Sequence, residues 1–140
     1  MRCLSLKEPW RLIDDVGADQ FIFDMLALGS PIEVSLVGVF DYEGRGSRRD
    51  IELPLHKDGD YSIQHKGEID FVGLYCLREG EATTMIEDSS GLHKIKLKKR
   101  QAIILDNKIC RHGRNGKVGE RLLLRIWIKE NATKKKEKLG

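Results

Sequence analysis

The sequence predicts one mainly β domain, a sandwich or barrel carrying a helical N-terminal segment. Three observations predict it. From Ile32 onward apolar and polar residues alternate, the period of a half-buried strand. Turn signals cut that pattern into many short pieces, the habit of two-layered or closed antiparallel folds. A length of 140 residues suits one domain, and a 40% apolar fraction is enough for one core.

Along residues 1–30, Trp10, Ile13, Phe21, Met25 and Leu28 recur near a 3.6-residue period, so this stretch is expected to be helical. Gly29 offers a stop, Pro31 bars continuation, and Gly17 is a weak point that allows two short helices instead of one. Ile32, Val34 and Leu36 then alternate with Glu33 and Ser35 as a strand. A polar loop follows from Glu43 to Ser47, after which Ile51, Leu53 and Leu55 alternate into the segment LPLHKDGDY. Further strands are expected over 71–77, 83–87, 92–98, 102–105 and 121–129. Between them lie Arg78-Glu79-Gly80, Ser89-Ser90-Gly91, Asp106-Asn107 and the glycine-rich stretch 113–119. The β core is thus expected over 32–129, followed by a disordered lysine-rich tail over 130–140.

Charge and cysteine usage narrow the function classes. A net charge of +3 is too mild to mark a nucleic-acid binder by itself. Basic residues cluster at Arg45, Arg48 and Arg49, at 94–100, and at Lys134, Lys135, Lys136 and Lys138. A solvated strand face and a tail account for them, with a phosphate-binding surface as the alternative. Aromatics are only 6% and do not interleave with these runs, which disfavours base stacking. No apolar run is long enough to cross a bilayer and no secretory signal opens the chain, so a cytoplasmic setting without a membrane partner is expected. Cys3, Cys76 and Cys110 are odd in number and form no C-x-x-C pair, which speaks against a disulfide framework or a zinc ribbon.

Chemistry has few carriers here. Of the four histidines, His65 reads as an exposed loop residue and His93 as a half-buried strand residue. His56 and Asp58 form an H-x-D pair at the end of an alternating strand, and residues two apart in a strand share a face. One more ligand from a distant strand would make two histidines and a carboxylate, a set that leaves coordination positions open and suits non-haem Fe(II). His112 precedes a glycine-rich turn into the last strand. In that strand Arg121, Leu123, Arg125 and Trp127 share one face, and Leu122, Leu124, Ile126 and Ile128 share the other. An inward arginine needs an anion, because an unpaired buried charge is very costly. A bound dicarboxylate would serve, and a surface position on an edge strand is the plainer alternative.

These segments resemble the taurine dioxygenase/γ-butyrobetaine hydroxylase/clavaminate synthase-like family of Fe(II)- and 2-oxoglutarate-dependent oxygenases. LPLHKDGDY resembles its LPLHTDxPY-type iron motif, GLYCLREGEATTMIED its strand, turn and GGxT segment, and LDNKICRHGRNG…GERLLLRIWI its DNxRxxHGR…GxRxLxRxxx ending. The three stand in the family's order over about 53–128. The resemblance implies a double-stranded β-helix (jelly-roll) core with the N-terminal helical segment packed on one sheet. It implies that His56, Asp58 and His112 ligate iron, and that Arg121 binds the distal carboxylate of 2-oxoglutarate. Thr83 matches the threonine that bonds the same carboxylate, with Thr84 its neighbour if the register slips by one. Arg125 matches a position that contacts an anionic substrate group in some members, and a structural ion pair is its other reading. Asp106 and Asn107 match a structural turn; the role of Arg114 is open.

The implied activity is hydroxylation or oxidative demethylation of a small-molecule substrate, with release of succinate and CO2. Two departures stand out. Gly80-Glu81-Ala82 replaces the usual pair of glycines before the threonine, and the chain is short for the family, so that a second subunit could be needed to close the pocket. Alternatives of other classes are a cupin-like metal-binding β-barrel without oxygenase activity and a nucleic-acid-binding β domain.

Overall fold

The computed structural model describes residues 8–38, 53–59 and 67–131. Among the described residues, nine strands and one helix follow in order: β1 (Trp10–Ile13), α1 (Ala18–Leu26), β2 (Ser30–Val37), β3 (Leu53–His56), β4 (Phe71–Arg78), β5 (Thr83–Asp88), β6 (Gly91–Ile95), β7 (Ala102–Asp106), β8 (Arg111–Asn115) and β9 (Leu122–Lys129). They form two antiparallel sheets, one in the order β1-β7-β4-β9-β2 and the other β3-β8-β5-β6.

Alternation along the strands divides the apolar residues between two cores. Leu74, Cys76, Ile103, Leu105 and Leu123 of the larger sheet meet Ile86 of the smaller one in the space between the layers. The opposite face of the larger sheet gathers Phe71, Tyr75, Ile126 and Ile128 with Phe21 and Met25 of α1. Phe21 stacks on Tyr75 with ring centroids 5.3 Å apart. Gly73 permits this approach, since a Cβ there would lie 2.5 Å from the sulfur of Met25. No helix among the described residues is long and apolar enough to cross a membrane.

Several expectations change in detail. The first thirty residues are not helical throughout: Trp10–Ile13 is a strand, pairing with Leu105–Ala102 of β7, and among the described residues of this stretch the helix covers Ala18–Leu26. Trp10 and Ile13 are three apart, and a four-residue stretch is too short to tell a helical period from a strand one. Asp15, at φ 48°, breaks the chain between them. Arg111–Asn115 is a strand rather than part of a turn, because β3 and β5 hydrogen-bond it from both sides. Its composition, RHGRN, hides this from pattern reading. The tail does not start at residue 130: Glu130 is buried and donates its backbone N–H to Asp70 at 2.7 Å. Cys3, the loop 43–47 with Arg45, Arg48 and Arg49, Ile51, Tyr61, His65 and the lysines of the tail lie outside the described residues.

Candidate metal centre

His56 closes β3, and β8 carries His112 directly opposite it in the ladder. Asp58 follows two residues later. His56 Nε2 lies 3.1 Å and His112 Nε2 3.3 Å from Oδ1 of Asp58, with the imidazole centroids 4.7 Å apart. The three ligand atoms fall within 4.8 Å of one another, a spacing that one metal ion can span. β3, β8 and the turn after β3 therefore bring together all three residues that the sequence nominates as ligands. Gly113 makes the approach possible, because a Cβ there would come within 2.5 Å of the Leu53 carbonyl oxygen on β3.

Orientation is fixed one layer further out. His56 Nδ1 faces the Pro54 carbonyl at 2.8 Å, which fits a protonated Nδ1 and leaves the Nε2 lone pair towards the centre. Asn107 brackets Asp58, accepting its backbone N–H at 3.0 Å and donating to its carbonyl at 2.9 Å. This gives the Asp106-Asn107 turn its task. The other carboxylate oxygen of Asp58, Oδ2, accepts the indole N–H of Trp127 at 2.7 Å. Burial alone would raise Asp58, but the charge and hydrogen bond of His112, the hydrogen bond of His56 and the charge of Arg125 outweigh it and hold the carboxyl well below the usual range.

One cleft runs from this centre to the arginines of β9, lined by Val37, Leu53 and Leu74 on its apolar side and by Thr84, Arg121 and Arg125 on its polar side. Arg121 is 3% exposed and donates from Nη1 to Thr84 Oγ1 at 3.0 Å. Its Nε has no partner, and no carboxylate among the described residues pairs with it. Burial pulls its pKa down, as expected of a cation without a counter-ion. Of the two threonines left open by the sequence, Thr84 lines the cleft, while Thr83 sits opposite Asn115 with its side chain on the other face of β5. Arg125 is also buried, pairs through Nη2 with Glu33 Oε2 at 3.2 Å, and lies 4.6 Å over the Trp127 ring. Arg114, left without a role by the sequence, is buried in the wall of the same cleft. His93 belongs elsewhere, bonded to Asp88 at 3.2 Å and tilted against Trp10.

Sequence reasoning missed two parts of this arrangement. The bond from Trp127 to Asp58 joins residues 69 apart in the chain. The strand alternation that places Trp127 on the arginine face was its one available signal. The choice of Thr84 depends on the register of β5 against β8, which the altered turn at Gly80-Glu81-Ala82 obscures.

No protein-family model matches the sequence, and no curated protein matches it. Solved structures do match the fold. Asparagine oxygenase in complex with Fe(II), 2S,3S-3-hydroxyasparagine and succinate has a TM-score of 0.66 at 15% identity, over 81% of this chain and 64% of that one. The non-heme iron oxygenase OrfP in complex with Fe and alpha-ketoglutaric acid has a TM-score of 0.62 at 11% identity, over 81% of this chain and 64% of that one. A variant of OrfP in complex with (3S)-hydroxy-L-Arg gives 0.65 at 10% identity, over 84% and 66%. The chain spans just under two thirds of the length of these solved chains. Its two antiparallel sheets are the jelly roll of oxygenases solved with iron and with alpha-ketoglutaric acid or succinate bound.

Proposed function

We propose that this chain is an Fe(II)- and 2-oxoglutarate-dependent oxygenase acting on a small-molecule substrate. Arg121 carries the reading. A guanidinium this deeply buried, with an unpartnered Nε and no carboxylate beside it among the described residues, is a poor structural element and a good anion receptor. It shares a cleft with a His-Asp-His cluster that fits one divalent ion. A cupin-like metal site without 2-oxoglutarate calls for a protein carboxylate on Arg121, and the described residues supply none.

In this reading His56, Asp58 and His112 hold Fe(II) from one side. Arg121 binds the distal carboxylate of 2-oxoglutarate, helped by Thr84, which takes the part the resemblance gives to Thr83. Bound together and supplied with dioxygen as the oxidant, iron and 2-oxoglutarate would provide an oxidative decarboxylation to succinate and CO2, with one oxygen atom of O2 entering succinate and the other the substrate C–H bond. The chain itself supplies placement and exclusion of water. Val37, Leu53, Leu74 and Leu123 dry the cleft, which strengthens every charge interaction inside it. Arg125, at the cleft wall, is assigned to an anionic group of the substrate, in exchange for part of its contact with Glu33. Hydroxylation, or demethylation through the same first step, is the expected outcome.

The test is spectroscopic. Under nitrogen, Fe(II) and 2-oxoglutarate together should give a visible metal-to-ligand charge-transfer band. Failure of the wild-type chain to show it, or its survival in both His56→Ala and Asp58→Ala, overturns the reading.

A further inference from the structure

A buried tryptophan has to find an acceptor for its indole N–H to replace the water it gave up. Trp127 is 6% exposed, and the acceptor it finds is a charged one, Oδ2 of Asp58, at 2.7 Å. The partner oxygen Oδ1 faces both imidazoles, at 3.1 and 3.3 Å. The two oxygens of one carboxylate thus have separate tasks. Asn107 fixes the backbone of Asp58, so what Trp127 adds is control over the rotation of the carboxylate itself. The guanidinium of Arg125 lies 4.6 Å over the same ring, and a cation on the π face draws electron density out of the indole and strengthens its N–H as a donor.

We propose that Trp127 is a positioning residue for the metal centre: its N–H occupies Oδ2 and leaves Oδ1 as the single oxygen that Asp58 offers to a metal ion. The inference rests on the oxygenase reading and deepens it. A carboxylate free to turn can present both oxygens to a cation. A second oxygen from Asp58 would use up a coordination position that a chelating cosubstrate needs. Fixing the carboxylate also removes a rotation that would otherwise be lost on binding, so the indole raises metal affinity as well as setting geometry.

The experiment is an anaerobic Fe(II) titration of the full chain without 2-oxoglutarate. Three proteins are compared: wild type, Trp127→Phe, and the chain with 3-benzothienylalanine at position 127, which keeps the bicyclic shape and replaces N–H by sulfur. Both altered proteins should bind Fe(II) about 10- to 100-fold more weakly. Thermal melting of the benzothienyl protein without metal should match wild type. Wild-type affinity in both altered proteins overturns the inference. So does wild-type affinity in the benzothienyl protein alone, because ring shape would then be the cause. If Trp127→Phe fails to fold, the benzothienyl protein decides. Wild-type chain that binds no Fe(II) brings down the oxygenase reading, whereas wild-type binding with no loss on substitution brings down only the role of Trp127.

Discussion

The two faces of β9 are built from one run of residues and do opposite work. Outward, Leu124, Ile126 and Ile128 pack with Phe21 and Met25 of the helix, and each could be exchanged for another hydrophobe of similar volume. Inward, Arg121, Arg125 and Trp127 are buried too, yet the two arginines carry cations into a cleft and Trp127 carries a hydrogen-bond donor to Asp58. Burial that stabilises on one side is a liability on the other. On the proposed function the inward face makes sense through what it binds, and substitutions on the two faces should separate stability from binding.

The largest separation is expected at Arg121. Removing one partner of a desolvated charge pair typically costs about 2–5 kcal/mol of binding. Arg121→Met should weaken 2-oxoglutarate by that amount in the Fe(II)-loaded protein while Fe(II) affinity holds. The melting temperature without ligands should not fall, since a buried cation lacking a counter-ion has been replaced by an apolar side chain. Anaerobic titration and calorimetry check both halves. Equal loss of iron and 2-oxoglutarate binding would mean that the inward face is structural after all.

Gly80 joins the two effects. A Cβ at this position would run into Cβ of Arg121 and come within 2.5 Å of both its backbone nitrogen and the Val118 carbonyl oxygen. Gly80→Ala should therefore destabilise the fold by about 1–3 kcal/mol, the usual range for overpacking, and weaken 2-oxoglutarate by displacing the guanidinium. Melting and titration of the same protein measure the two losses. Stability lost with 2-oxoglutarate affinity intact would show that Arg121 tolerates movement of this turn.

How much of this was legible in the sequence follows the same division. The outward face of β9 follows period-two patterning, and β4 and β7 read as continuous apolar runs buried on both faces, because packing selects apolar residues and leaves a pattern. The candidate ligand pair His56 and Asp58 was legible because its geometry is local, the last residue of β3 and a residue of the turn two positions on. Arg111–Asn115 was not legible as a strand, since its inward positions, His112 and Arg114, are polar for the sake of the cleft and its centre is a glycine required by β3. Which of Thr83 and Thr84 faces the cleft stayed open, because a one-residue choice of register rests on pairing with a distant strand. Trp10 was misread for a related reason: its indole bonds Asp88, 78 residues away, and no local period reports that.

Ile126 tests the outward face alone. It is fully buried beneath the helix, so Ile126→Val should cost about 0.5–1.5 kcal/mol of stability. Affinities for Fe(II) and 2-oxoglutarate in the folded protein should stay at wild-type values. Denaturant unfolding beside ligand titration checks this. A binding loss here would show that the two faces are coupled through the strand.

The smallest effect on stability, and the sharpest question, belongs to Glu33. Its pair with Arg125 is only half buried, the Glu33 side chain being 28% exposed against 9% for Arg125. Glutamine keeps an oxygen that can accept from Nη2, so the expected loss is about 1 kcal/mol, the upper end for partly exposed pairs. Glu33→Gln should therefore melt close to wild type. Its consequence lies in the cleft, where Arg125 keeps its place over Trp127 and loses the carboxylate that neutralises it. If Arg125 is a receptor for an anionic substrate group, sulfate should bind Glu33→Gln several-fold more tightly than wild type, with Fe(II) and 2-oxoglutarate already bound. The gain should vanish in the double variant with Arg125→Met. If sulfate affinity is the same with and without Glu33, the pair is a structural tie across β2 and β9, and the substrate's charge must be sought elsewhere in the cleft.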